Sequence, residues 1–371
     1  MRRGAVAFVL AGLLAACGQT VVPAATTPSG WLALPDSPLG PRDAALGLWT
    51  GSEVLLIGGS NGRPCPPAAS CVKGPPPLTD GAAFDPATNR WRKIADSPVP
   101  LAFGQGVVIG SAAYILPDAG AEQLLVYQVD HDEWTRVPLP SSGGYQLLAA
   151  GDRLVAYQNS DETRRGKDYL FDPRTATWSE LPPDPLSAAY LRTMAWTGSE
   201  LVLFDHETVP NPGSEKPSLT RAAALNLTTG SWRRLPDSTI LGTGPWLTAG
   251  DQLINPTLGG EDGGKVNNWG RIYPYGGSVA PSTGVWSPLP NPPAGTSTAA
   301  GARTGTTAVY LGNHGFVLDM TTGAWQPVPA IPGDDVTGRT VVAAGVRMMV
   351  FGGARWDPTP AVVADAWIWT P

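Results

Sequence analysis

Short apolar runs, separated by glycine and polar turn residues, set the pattern of this chain. Seven times a Gly stands between two such runs: Gly51, Gly110, Gly151, Gly198, Gly250, Gly305 and Gly345. Each reads as a tight turn between two strands, because Gly reaches positive φ without a steric cost. Trp49-Thr50-Gly51-Ser52-Glu53 and Trp196-Thr197-Gly198-Ser199-Glu200 are almost one sequence, and an aliphatic run follows each. Downstream comes a second element, opened in most copies by Asp or Asn, with Thr at the fourth position and Trp six residues after the first. It runs Asp85 to Trp91, Asp172 to Trp178, Asn226 to Trp232, Ala280 to Trp286 and Asp319 to Trp325, with a shortened copy from Asp130 to Trp134. Asp or Asn opens such a turn by bonding its own backbone two residues on. Most of these Trp residues are followed by an aliphatic residue and Pro, as in Leu181-Pro182, Leu235-Pro236 and Leu289-Pro290. Proline lacks a backbone donor, which only an edge strand tolerates. Each Trp strand is therefore expected on the outside of a small sheet, with the large ring buried.

Seven Gly turns and seven Trp strands, repeating at roughly 40 to 50 residues, predict an all-β, seven-bladed β-propeller of four-stranded antiparallel blades. The seventh blade has three strands at the C-terminus: Thr340 to Ala344, Arg347 to Phe351 and Ala364 to Trp369. Near the front, Trp31-Leu32-Ala33-Leu34-Pro35 is a Trp strand with no blade of its own. The N-terminal strand is expected to pair with the C-terminal blade and close the ring, removing an open edge.

The double glycines Gly58-Gly59 and Gly352-Gly353, the Gly turns and the downstream Trp residues resemble kelch repeats, which also occur in galactose oxidase-like propellers. The resemblance covers Trp31 to Pro371. It implies the fold and leaves function open, since propellers host many activities. Galactose oxidase-like copper chemistry would require two His ligands and a Cys crosslinked to a Tyr. The chain has only His131, His206 and His314, and no Cys remains free if Cys65 and Cys71 pair. No cofactor, no metal site and no catalytic residue is expected.

The first residues do not belong to the fold. Arg2 and Arg3 precede an apolar run from Ala5 to Ala16, too short to span a membrane. Residues 1–16 read as a signal peptide. Leu14-Ala15-Ala16-Cys17 resembles a bacterial lipobox, which implies that Cys17 becomes the lipidated N-terminus of an exported, envelope-anchored chain. Residues 17–30, rich in Thr, Pro and Ala, read as a flexible tether, and 31–371 as the propeller. Composition agrees with an exported all-β domain: 45 glycines and 39 prolines in 371 residues are too many for a helical protein. The net charge is −6, and about −8 once Arg2 and Arg3 leave with the leader, so nucleic acid is not an expected partner. Cys65 and Cys71 flank a Pro-rich loop, where an oxidising compartment favours a local disulfide.

Spacing also places a face. The stretch from turn Gly to the first box residue is short between Gly305 and Asp319, and long from Gly51, Gly198 and Gly250. The excess lies between second and third strands, so these loops emerge on one face, where binding residues usually sit. The candidates there include Arg63, Arg164, His206, Asn268, Trp269, Arg355 and Trp356. Lys73, Asp161, Arg165, Asp205, Glu207, Asn267 and Asp357 belong to the same loops, and most such residues are solvated loop polars. Two functions are expected from different classes. One is a monomeric binding module for an envelope protein or glycan. The other, implied by the resemblance, is an envelope carbohydrate enzyme, similar to a sialic-acid mutarotase, with its site at the channel mouth. Asp205-His206-Glu207 would be its acid–base candidate.

Overall fold

The structure is a computed structural model. It describes residues 30–370, except 66–76, 119, 161–165, 209–216, 256–275, 291–292, 294–299, 305–306, 312–314 and 332–334. Every regular element among the described residues is a β-strand, and they form seven four-stranded antiparallel sheets and one small three-stranded sheet. Sheet 1 is built from Leu46–Trp49, Val54–Ile57, Gly81–Asp85 and Arg90–Ile94, in that order from one edge to the other. Sheets 2 to 6 repeat the plan, beginning at Gln105, Tyr145, Ala189, Leu247 and Ala300 and ending on the Trp strand. The first strands of sheets 7, 1, 2, 3, 4 and 5 lie against one another in series, and so do those of sheets 6 and 7. The architecture is that of a β-propeller.

Sheet 7 combines both ends of the chain. Thr340–Ala344, Arg347–Phe351 and Ala366–Thr370 supply three strands, and Gly30–Ala33 adds the fourth. Trp31 stands opposite Trp369 and Leu32 opposite Ile368, as the orphan Trp strand led one to expect.

The core lies between sheets. Val54 to Ile57, a middle strand, is buried along its whole length because both of its faces meet a neighbouring sheet. Val54, Leu56 and Phe84 pack on Val342, Met349 and Phe351 of sheet 7, while Leu55 and Ile57 pack on Ala113, Ile115 and Tyr127 of sheet 2. Apolar layers of this kind separate each pair of consecutive sheets.

The boxes do more than turn the chain. Asp85, Asp172, Asn226 and Asp319 each accept the N–H two residues on, at 2.7–2.9 Å. The expectation that each Trp buries its ring is only half met: the rings are half-buried and each indole N–H reaches out of its own sheet. Trp31, Trp91, Trp134, Trp178, Trp232, Trp286 and Trp325 donate to the carbonyls of Pro329, Pro35, Ala95, Pro138, Pro182, Pro236 and Pro290, at 2.8–3.1 Å. Each acceptor lies four residues beyond the Trp of the preceding sheet, and the series returns to its start. Ala95 serves as well as the prolines, so the carbonyl is what the neighbour recognises. Proline keeps that outer backbone free of an unpaired N–H.

Candidate functional site

Antiparallel order puts the loops between second and third strands on the same face as the connections entering each first strand. Buried cation–carboxylate pairs fasten this face. Arg42 is buried and binds Asp80 through both carboxylate oxygens, at 2.6 and 2.9 Å, and also the Gly58 carbonyl. Arg192 joins Asp168 and Asp184. Arg221 joins Asp205 and the Ser187 hydroxyl. Little water reaches the Arg192 and Arg221 pairs, whereas Asp80 is partly open to solvent. The double glycines belong to the same fastening. Gly58 and Gly59 hold φ at 67° and 100°, and a Cβ on Gly58 would meet the Leu101 carbonyl at 2.2 Å. Gly59 N–H donates to that carbonyl at 2.6 Å.

The sequence candidates distribute unevenly over this face. Arg63 is exposed. Arg355 is ion-paired to Asp335 at 2.9 Å, and the indole N–H of Trp356 donates to the Thr337 hydroxyl at 2.7 Å, so both are tied to the small sheet formed by Val336–Thr337, Ala354–Arg355 and Ala361–Val362. His206 departs from the expected loop position. The second strand of sheet 4 continues through Glu207, which leaves His206 only 1% exposed. Its ring nitrogens face the carbonyls of Ser218 and Gly242, at 2.9 and 3.1 Å. Burial holds this imidazole below its ordinary range, against the pull of those carbonyls. Burial likewise pushes Asp205 up to about 6, outweighing Arg221. Neither group meets solvent. Arg164, Asn268 and Trp269 lie outside the described residues, as do Lys73, Asp161, Arg165, Asn267, Cys17 and Cys71. Cys65, at the end of a described segment, is not a free thiol.

Two apolar residues that pattern reading missed stand out on the same face. Phe103 is 86% exposed, at φ 56°, on the connection entering the first strand of sheet 2. Its N–H donates to the Ala44 carbonyl at 3.2 Å, and two residues earlier Leu101 is buried and held by Leu78 and Gly59. Leu191 is 39% exposed at φ 49°, in a bulge of the first strand of sheet 4. The neighbouring Arg192 N–H donates to the Asn159 carbonyl at 2.7 Å. Left-handed φ is a cost for an L side chain, and side chains held that way against rigid neighbours concentrate at functional sites.

No protein-family model matches the chain. A putative F-box/kelch-repeat protein of Arabidopsis thaliana is 28% identical over 118 residues, which is 30% of this chain. The match spans 33% of that relative's length. The solved structure of YjhT is similar at 14% identity and a TM-score of 0.45, over 91% of this chain and 97% of that one. The fold is a β-propeller, and its repeats and double glycines resemble kelch repeats. Among the described residues of this propeller, no three His, Cys, Asp or Glu side chains gather as a metal site.

Proposed function

We propose that this propeller is a non-catalytic binding module, which presents its long-loop face to a protein or glycan. Export and a lipid on Cys17 would hold it at the cell envelope, and a Cys65–Cys71 disulfide would stiffen one loop of that face. The observation that carries the reading is Phe103. An aromatic ring 86% exposed gains nothing from folding, yet its backbone is held on both sides. Rigid exposed aromatics are the usual anchors of interfaces. Asp205 and His206 are closed off from solvent and support structure rather than proton transfer.

The test passes envelope extracts over the mature chain, a Phe103→Ala chain and a Val346→Ala chain. Val346 is exposed in the Gly345 turn on the opposite face. A partner lost with Phe103→Ala and kept with Val346→Ala is the expected result. Equal capture by both variants removes the face assignment. Mutarotation of sialic acid by the mature chain would instead support the enzyme reading.

A further inference from the structure

The outer edges of the seven sheets are not alike. Every outer strand of sheets 1 to 4 carries charge, with Lys93 in sheet 1, Arg136 in sheet 2, Glu180 in sheet 3 and Arg234 in sheet 4. Charged side chains keep an exposed strand edge in water and away from other surfaces. The outer strands of sheets 5, 6 and 7 are Val285–Pro288, Trp325–Pro327 and Gly30–Ala33; they read VWSP, WQP and GWLA and carry no charge. These sheets are neighbours in the ring, joined by the indole bonds of Trp325 to Pro290 and of Trp31 to Pro329. Large apolar side chains exposed among the described residues include two on outer strands, Val285 at 59% and Leu32 at 40%, and both stand in this sector. The half-buried rings of Trp286, Trp325 and Trp31 adjoin them. Asp36, Asp319 and Asp335 lie past the strand ends, in the links and in one box turn. The chain also enters here. Residues 18–29 separate Cys17 from Gly30, and a segment of that length spans at most about 45 Å. A domain of this size is roughly 50 Å across. A lipid on Cys17 would therefore hold the edge of sheet 7 closer to a bilayer than the opposite edge at sheets 3 and 4.

Building on the lipid anchor of the proposed function, we propose that the outer edges of sheets 5, 6 and 7 rest on the phospholipid surface that holds Cys17, so that the disc stands on its rim. Indole rings and aliphatic side chains suit the boundary between acyl chains and head groups. Arg90 and Lys93, exposed on the adjoining edge of sheet 1, meet anionic head groups there. The contact is too small to hold the chain by itself, and the lipid supplies the local concentration that makes it persist. A disc on its rim leaves the face of Phe103 open sideways to a partner.

The test compares hydrogen exchange in the lipidated chain on vesicles of phosphatidylcholine and phosphatidylglycerol with exchange in the Cys17→Ser chain free in solution. Gly30–Ala33, Val285–Pro288 and Trp325–Pro327 should exchange severalfold more slowly on the vesicles, while Glu133–Pro138 and Thr177–Glu180 should not change. Leu32→Glu/Val285→Glu should lose that protection. Thr135→Glu should keep it, although Thr135 is exposed one residue after its Trp in sheet 2, as Leu32 is in sheet 7. Should the double variant melt early, Leu32→Ser/Val285→Ser puts the same question. Protection at sheets 2 and 3, protection of every outer strand alike, no protection, or protection that survives the double variant would each overturn the inference. Mass analysis of the N-terminal peptide separates this failure from failure of the anchor. An unmodified Cys17 in the exported chain removes the anchor and the inference together, whereas a lipidated chain without rim protection removes the inference alone. Capture through Phe103 tests the binding reading independently of both.

Discussion

Ala176 holds φ at 53° in the fifth position of its box, where Gly230, Gly284 and Gly323 stand in later copies. A left-handed Ala costs roughly 1 kcal/mol, while Gly in its place gives back part of that through chain entropy. Ala176→Gly should therefore leave stability unchanged or raise it by a few tenths of a kcal/mol, by roughly the difference between those terms. The reverse change, Gly284→Ala, should lose more than about 1 kcal/mol, since the new Cβ would also lie 2.5 Å from Pro236. Urea denaturation of the two variants checks the contrast. A second residue-scale prediction concerns His206. Its folded pKa lies below the unfolded one, so the folded state binds fewer protons as pH falls below about 6.5. Stability from this group is present above that pH and is lost as pH drops through the folded value. His206 should titrate below the ordinary histidine range by NMR, and His206→Gln should flatten the acid side of the stability profile. Asp205 acts oppositely: its folded pKa near 6 removes stability as pH rises through that value. Comparison with the variant isolates the histidine.

At the scale of the element, the outer strand is held by its indole as well as by its ladder. Trp232→Phe keeps the ring beside Leu225 but abandons the Pro182 carbonyl, and should cost about 1 kcal/mol. Trp232→Ala removes the ring as well and should cost roughly 3 kcal/mol. Thermal melts of the pair separate bond from packing, and equal losses would show that the Trp–carbonyl bond adds nothing. The box turn itself was legible, because an Asx turn and its positive φ are decided within five residues. The partner of the Trp was not legible, because the acceptor stands one sheet back, some 35 to 56 residues away along six of the sheet-to-sheet links and across the chain ends in the case of Trp31.

For the whole molecule, the first strand matters out of proportion to its length. Removing the chain through Pro35 deletes the outer strand of sheet 7, the Trp31 bond to Pro329 and the carbonyl that receives Trp91. Sheet 7 is then left with an open edge and sheet 1 with an unpaired indole. Such a truncated chain should melt well below the mature protein, and an unchanged melting temperature would refute the role of this strand.

The sequence alone determined the all-β class, the spacing of the sheets, the outer position of every Trp strand and the pairing of Trp31 with the C-terminal strand. Those follow from turn chemistry, proline and the period of apolar runs, which act over a few residues. Tertiary structure decided which side chains face water. The structure exposes Phe103, which the pattern did not single out, and buries His206, which reads as a loop polar. Burial depends on what the neighbouring sheets bring up against a residue, and here those neighbours are Ala44 for one and Ser218 and Gly242 for the other.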